Sequence, residues 1–179
     1  MEVTFLKIFY KKSYSHNTRV IDGKNQNLDC ETIIASSSDD MIDIKTKNIY
    51  DNVNISRNIQ LLSNKIIDEI NVVTCNNKNV DYFFHCDAKL ITELDYNSIE
   101  SFKEYPYLKN IEEVNYNDDN IILEWKLNDK TVISKISIRN KKLFICESPD
   151  NPNINKRTTI IIRCNSNSNI LFKIEWRII

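Results

Sequence analysis

Two histidines, five cysteines and a few adjacent carboxylates are the side chains of this 179-residue chain that could move a proton, attack a carbonyl or ligate a metal. A nucleophile needs a base within hydrogen-bond reach. His16 lies in a polar arm, and His85 adjoins Cys86 in an apparent strand. Neighbouring strand residues point to opposite faces, so this pair forms no thiolate–imidazolium couple, and His85 reads as an ordinary strand residue. Asp39–Asp40, Glu112–Glu113 and Asp118–Asp119 lie in polar segments and read as solvated acids. Cys30, Cys75, Cys86, Cys146 and Cys164 form no CxxC pair, and with two histidines they predict no metal site. Scattered reduced thiols and an oxidised framework with one cysteine left over both fit their spacing. The single glycine excludes the phosphate-cradling turns of nucleotide enzymes. The expectation is a non-enzyme without cofactor or metal.

These side chains must be positioned by strands. "MIDIKTKNIY" (41–50), "IILEWKL" (121–127), "TVISKISI" (131–138), "KKLFIC" (141–146) and "TTIIIRC" (158–164) alternate apolar and polar residues as half-buried strands do. "LNDK" and "RNKK" carry the asparagine and aspartate that tight turns favour, so 121–146 reads as a three-stranded meander. "ESPDNPNINK" (147–156) reads as a loop. One segment, "SRNIQLLSNKIIDEI" (56–70), places Ile59, Leu62, Ile66 and Ile70 at helical spacing with Ser56 as an N-cap; strands fit it as well. Residues 87–120 lack periodicity and suggest long loops, or a short helix near "DYNSIESFKEY". The length fits one domain, with residues 1–27 an arm or first strand and 28–179 a single β domain.

The net charge of −1 supplies no long-range field for nucleic acid or an anionic membrane, so neither is an expected partner. No run reaches the ~18–20 apolar residues of a membrane span. The first twenty residues, interrupted by Glu2 and Lys7, make a poor signal peptide.

The order of "VDYFFHC" (80–86), Cys146, a polar loop, Lys156–Arg157, "TTIII", Cys164 and "FKIEW" (172–176) resembles the mannose 6-phosphate receptor homology domain, the lectin fold of lysosomal-enzyme receptors and of glycoprotein quality-control lectins. The likeness covers residues 80–179, and 28–80 loosely. It implies an all-β fold, a flattened barrel or sandwich of two crossed antiparallel sheets with at most one or two short helices. Carried over by position, the family's sugar-binding arginine falls on Lys156, or with a one-residue shift on Arg157, and its tyrosine on Phe172, which lacks the hydroxyl. No residue here matches the family's glutamine or glutamate. The resemblance also implies a Cys30–Cys86 bridge; the family partners of Cys146 and Cys164 are missing here, and the remaining option is that these two pair with each other across the 147–156 loop, leaving Cys75 free.

The reading that follows is a divergent lectin-like domain of the secretory pathway or extracellular space, binding glycoprotein glycans weakly if at all. The alternatives are a protein-interaction or structural module of the same fold, and an unrelated intracellular β-rich protein with free thiols. The sequon Asn54-Ile55-Ser56 would be glycosylated only in the secretory pathway.

Overall fold

A computed structural model describes residues 8–150 and 156–179. The alternating segments become strands, and the chain reads β1 (Arg19–Ile21), β2 (Glu31–Ser37), β3 (Met41–Tyr50), β4 (Val53–Leu62), β5 (Lys65–Thr74), β6 (Lys78–Cys86) and β7 (Lys89–Leu90). It continues with β8 (Tyr96–Ser98), β9 (Lys109–Val114), β10 (Asn120–Leu127), β11 (Lys130–Ser137), β12 (Lys142–Pro149), β13 (Lys156–Ser166) and β14 (Asn169–Ile178). All pairings are antiparallel. The smaller sheet has the order β1-β6-β13-β12-β9-β8 and the larger β2-β3-β4-β5-β14-β11-β10-β7. Two antiparallel sheets form a sandwich, and helical backbone among the described residues is confined to residues 8 and 9 and a 3-10 turn at Ser13–Ser15.

The core lies between the sheets. Ile70, Val72, Phe172 and Ile174 of the larger sheet meet Val80, Tyr82, Leu143, Ile160 and Ile162 of the smaller. The smaller sheet is apolar on its outer face too, where Phe83, Phe144, Cys146 and Ile161 are covered by Phe9, Tyr14, Tyr105 and Leu108. Covering both faces explains why a run of consecutive apolar residues such as Ile160–Ile162 is a strand here. The larger sheet extends beyond the smaller, and at that flank Ile34, Leu61, Ile66 and Ile178 are exposed.

Four expectations are corrected. Residues 56–70 form a hairpin, not a helix: Leu62 pairs with Lys65 across a Ser63-Asn64 turn, and Ser56 is a strand residue rather than an N-cap. The apolar residues at helical spacing are shared between two strands whose alternate positions face the core. The meander is broken as well. β10 and β11 pair, but β12 crosses to the other sheet, between β9 and β13. The cause is burial: Leu143 and Ile145 face the inter-sheet core while Phe144 and Cys146 face the outer cluster, and only a central strand with both faces covered satisfies all four. Near "DYNSIESFKEY" the chain forms the short strand β8 and turns, with no helix.

The structure holds none of the expected disulfides: all five cysteines stand unbridged. Cys146 and Cys164 lie on adjacent strands but on opposite faces. Cys146 is opposite Thr159, five residues before Cys164, so the two sulfurs cannot meet. Cys30 precedes β2 of the larger sheet and Cys86 ends β6 of the smaller.

The described residues before 28 are integral to the sandwich. β1 extends the smaller sheet, and the Phe83 N–H donates to the Thr18 carbonyl at 2.8 Å. The loop expected at 147–156 gives way to strand through Pro149 and again from Lys156, and 151–155 lie outside the described residues.

Candidate functional site

β13 and β12 bring the basic pair expected to touch sugar to one end of the smaller sheet. Register sets Lys156 opposite Pro149 and Arg157 opposite Ser148. Lys156 is exposed and forms an ion pair with Glu147. Arg157 points to the outer face, where its Nε–H donates to Ser148 Oγ at 3.2 Å and its Nη2 to the Ser15 carbonyl at 2.8 Å. The cation therefore clamps the N-terminal segment onto the sheet. Phe172 is elsewhere: it sits between the sheets at 1% exposure, with its ring centroid 5.8 Å from that of Tyr82. Lys156, Arg157 and Phe172 share no pocket.

Arg157 belongs to a buried polar network. His85 Nε2 lies 2.9 Å from the Tyr14 carbonyl, which can only accept, so Nε2 carries the ring proton. Nδ1 is then an acceptor, 2.7 Å from Thr159 Oγ1 and 3.3 Å from Ser148 Oγ, and these hydroxyls are 2.7 Å apart. Desolvation first, and the Arg157 charge second, push the His85 pKa down to about 3. The imidazole is neutral and fully occupied. The nearby Cys146 thiol is pushed up to about 12 by burial, so it is no nucleophile at neutral pH. At this end of the sheet the described side chains of the network bond one another, and the imidazole and guanidinium hold the N-terminal segment.

At the opposite end of the same outer face lies an open groove of about 620 Å³. Register places Asn79 beside Asn165 and Lys142 beside Arg163, and Asn165 Nδ2 donates to Asn79 Oδ1 at 2.9 Å. Arg163 forms one wall. It stacks 4.2 Å over the Phe102 ring and binds Asp81 through Nε (2.7 Å) and Nη2 (2.8 Å), with a further bond from Nη2 to Glu104 at 2.8 Å. Tyr105 donates to the same Asp81 carboxylate at 2.6 Å, and its own pKa is raised by burial and then by that charge. Lys142 is paired with Glu113 at 2.9 Å.

Lys141 differs from these cations. Its Nζ donates to the Arg139 carbonyl at 3.2 Å and lies 5.7 Å from the Phe172 ring centroid, and no carboxylate among the described residues forms an ion pair with it. Burial lowers its pKa. Sequence reasoning passed over this groove because Asn79, Lys141 and Arg163 lie on three separate segments, and "RNKK" reads locally as a turn. No group of three or more metal-ligating side chains occurs among the described residues.

No protein-family model and no curated protein sequence matches the chain. Solved structures do. A protein titled heparinase III superposes on 100% of the chain with a TM-score of 0.68 at 10% identity, and the chain covers 26% of that protein. The heparan sulfate lyase HepC from Pedobacter heparinus gives a TM-score of 0.54 at 13% identity over 99% of this chain and 26% of its own. A further heparinase III structure gives 0.56 at 13% over 98% and 25%. At such identities the likeness shows the β-sandwich fold. The chain spans about a quarter of the length of these proteins.

Proposed function

We propose that this β-sandwich is a non-catalytic glycan-binding module that takes a short acidic saccharide in the groove around Lys141. The observation that carries the reading is a half-buried ammonium without a carboxylate partner, set beside the amides of Asn140 and Asn165. An ammonium only donates, whereas each amide both donates and accepts, and a sugar with a carboxylate or sulfate and free hydroxyls needs both kinds of partner. The solved proteins of this fold carry titles of heparinase and heparan sulfate lyase, which supports an acidic saccharide over a neutral one. A net charge of −1 gives no steering of a long polyanion, so selection in this reading is by short-range contact.

Calorimetric titration with a glucuronate-containing tetrasaccharide, oligomannose and mannose 6-phosphate tests this. The tetrasaccharide is expected to bind, and Lys141→Ala to weaken it about tenfold or more, as loss of one charged hydrogen bond of ~1.5–3 kcal/mol would. Oligomannose binding abolished by Arg157→Ala would restore the receptor-homology lectin reading instead. No binding by any of the three would favour a protein-interaction module of the same fold.

A further inference from the structure

A second constellation lies between the sheets, apart from the groove and independent of its function. Arg19 stands opposite Tyr82 in the β1–β6 register and faces inward at 5% exposure. Across from it, β4 and β5 bring together Arg57 and Asp68. Arg57 Nε donates to Asp68 Oδ1 at 2.8 Å and Nη2 to Oδ2 at 2.7 Å, and the Tyr82 hydroxyl donates to the same Oδ2 at 3.0 Å. The Asp68 carboxylate is committed to these two partners.

Arg19 is left over. It feels the charges of Arg57 and Asp68 and the hydroxyls of Tyr82 and Tyr50. Yet its buried Nε–H has no hydrogen-bond acceptor, and no carboxylate among the described residues forms an ion pair with it. The Tyr50 hydroxyl donates to the carbonyls of Arg19 and Lys24, at 3.0 and 3.3 Å. Two guanidiniums and one carboxylate leave one uncompensated positive charge in the enclosure. Burial, and then repulsion from Arg57, push the Arg19 pKa down to about 10, so it remains cationic at neutral pH. A buried charge without a counter-ion is among the least favourable arrangements in a protein interior.

We infer that the inter-sheet region at Arg19 is an anion site, in which one carboxylate or sulfate group accepts from the Arg19 guanidinium on its Arg57 side and neutralises the charge that Asp68 leaves over. A guanidinium matches both groups, because its planar donors fit two oxygens at once. The approach is beside Arg57, whose side chain is 25% exposed against 8% for Asp68. Ile42, Ile44 and Ile59, where the larger sheet outruns the smaller, form a partly exposed apolar rim along that side.

The test is the thermal unfolding midpoint of the 179-residue protein at pH 7 in sodium sulfate, acetate or glucuronate, each against sodium chloride at equal ionic strength to remove general screening. A saturable rise of about 5 °C or more is expected, of the order that a ligand at a hundred times its Kd produces. Sulfate acting alone identifies an inorganic or sulfated ligand, and glucuronate exceeding acetate identifies a sugar acid. Lys141→Ala should keep the rise, which separates this site from the groove. Arg19→Met should raise the midpoint in chloride and abolish the oxyanion effect. No rise in the native protein, or an equal rise in Arg19→Met, would overturn the inference. If Arg19→Met does not fold, the side-chain Nε–H resonance of Arg19 in the native protein decides: a shift on adding the oxyanion supports the site, and none refutes it.

Discussion

His85 is neutral in the folded protein at any pH above about 3, whereas in the unfolded chain it protonates near the ordinary value of about 6.5. Between these values the unfolded state binds the extra proton, so this residue's contribution to stability is complete above about pH 6.5 and is lost as pH falls toward 3. Urea unfolding followed from pH 7 to pH 4.5 should show the native protein losing more stability than His85→Gln, by up to ~1.4 kcal/mol per pH unit. Parallel slopes would show that the imidazole is hydrated rather than sealed beneath Tyr14. The carboxylates of Asp22, Glu147 and Glu175, whose pKa values are lowered, act in the same direction in both proteins and cancel in the comparison. Part of this was legible in the sequence: strand alternation puts Cys86 and His85 on opposite faces, so the two form no couple. Its partners were not. Ser148, Thr159 and the Ser15 carbonyl that holds Arg157 come from segments joined only by strand register. For the same reason Lys156 and Arg157 kept their expected place on one strand end while Phe172 fell on the inner side of another sheet.

At the scale of elements, alternation located β3, β10, β11, β12 and β13 to within a few residues, because period two records which face of a strand is buried. It cannot record the neighbour. That is why β12 changed sheets unannounced, and why a hairpin at 56–70 carried a helical spacing. The turns reveal a division of labour that composition alone disguised. Asn48, Asn52, Asn110, Asn128 and Asn140, with Asp22, all adopt φ between 50° and 58°, so asparagine supplies the left-handed backbone that glycine gives most chains. The one glycine stands where asparagine could not. Gly23 has φ +70°, and an added β-carbon would lie 2.8 Å from that of Glu104. Gly23→Ala should therefore cost about 2–3 kcal/mol, from the backbone and the overlap together, measured by urea unfolding. A loss below about 0.5 kcal/mol would mean that the turn and the Glu104 segment move apart freely.

For the whole molecule, a sandwich was predictable and the assignment of strands to sheets was not, since fourteen short strands with polar turns are compatible with many pairings. Stability rests on a double-sided smaller sheet rather than on covalent cross-links. Alkylation in denaturant without reductant should label all five cysteines, and reductant should leave the unfolding midpoint unchanged. A reductant-sensitive midpoint would reinstate an oxidised framework. Building turns from asparagine also bears on how the molecule ages. Asparagine and aspartate isomerise through a cyclic imide that forms most readily when the next residue is glycine, and the only glycine here follows Asp22. Bulkier residues succeed every asparagine, which slows the ring closure. At Asp22 the carboxylate is held by Lys78 Nζ at 2.7 Å and by the Asn79 N–H at 3.0 Å, so the Asp22–Gly23 step is restrained by the fold that depends on it.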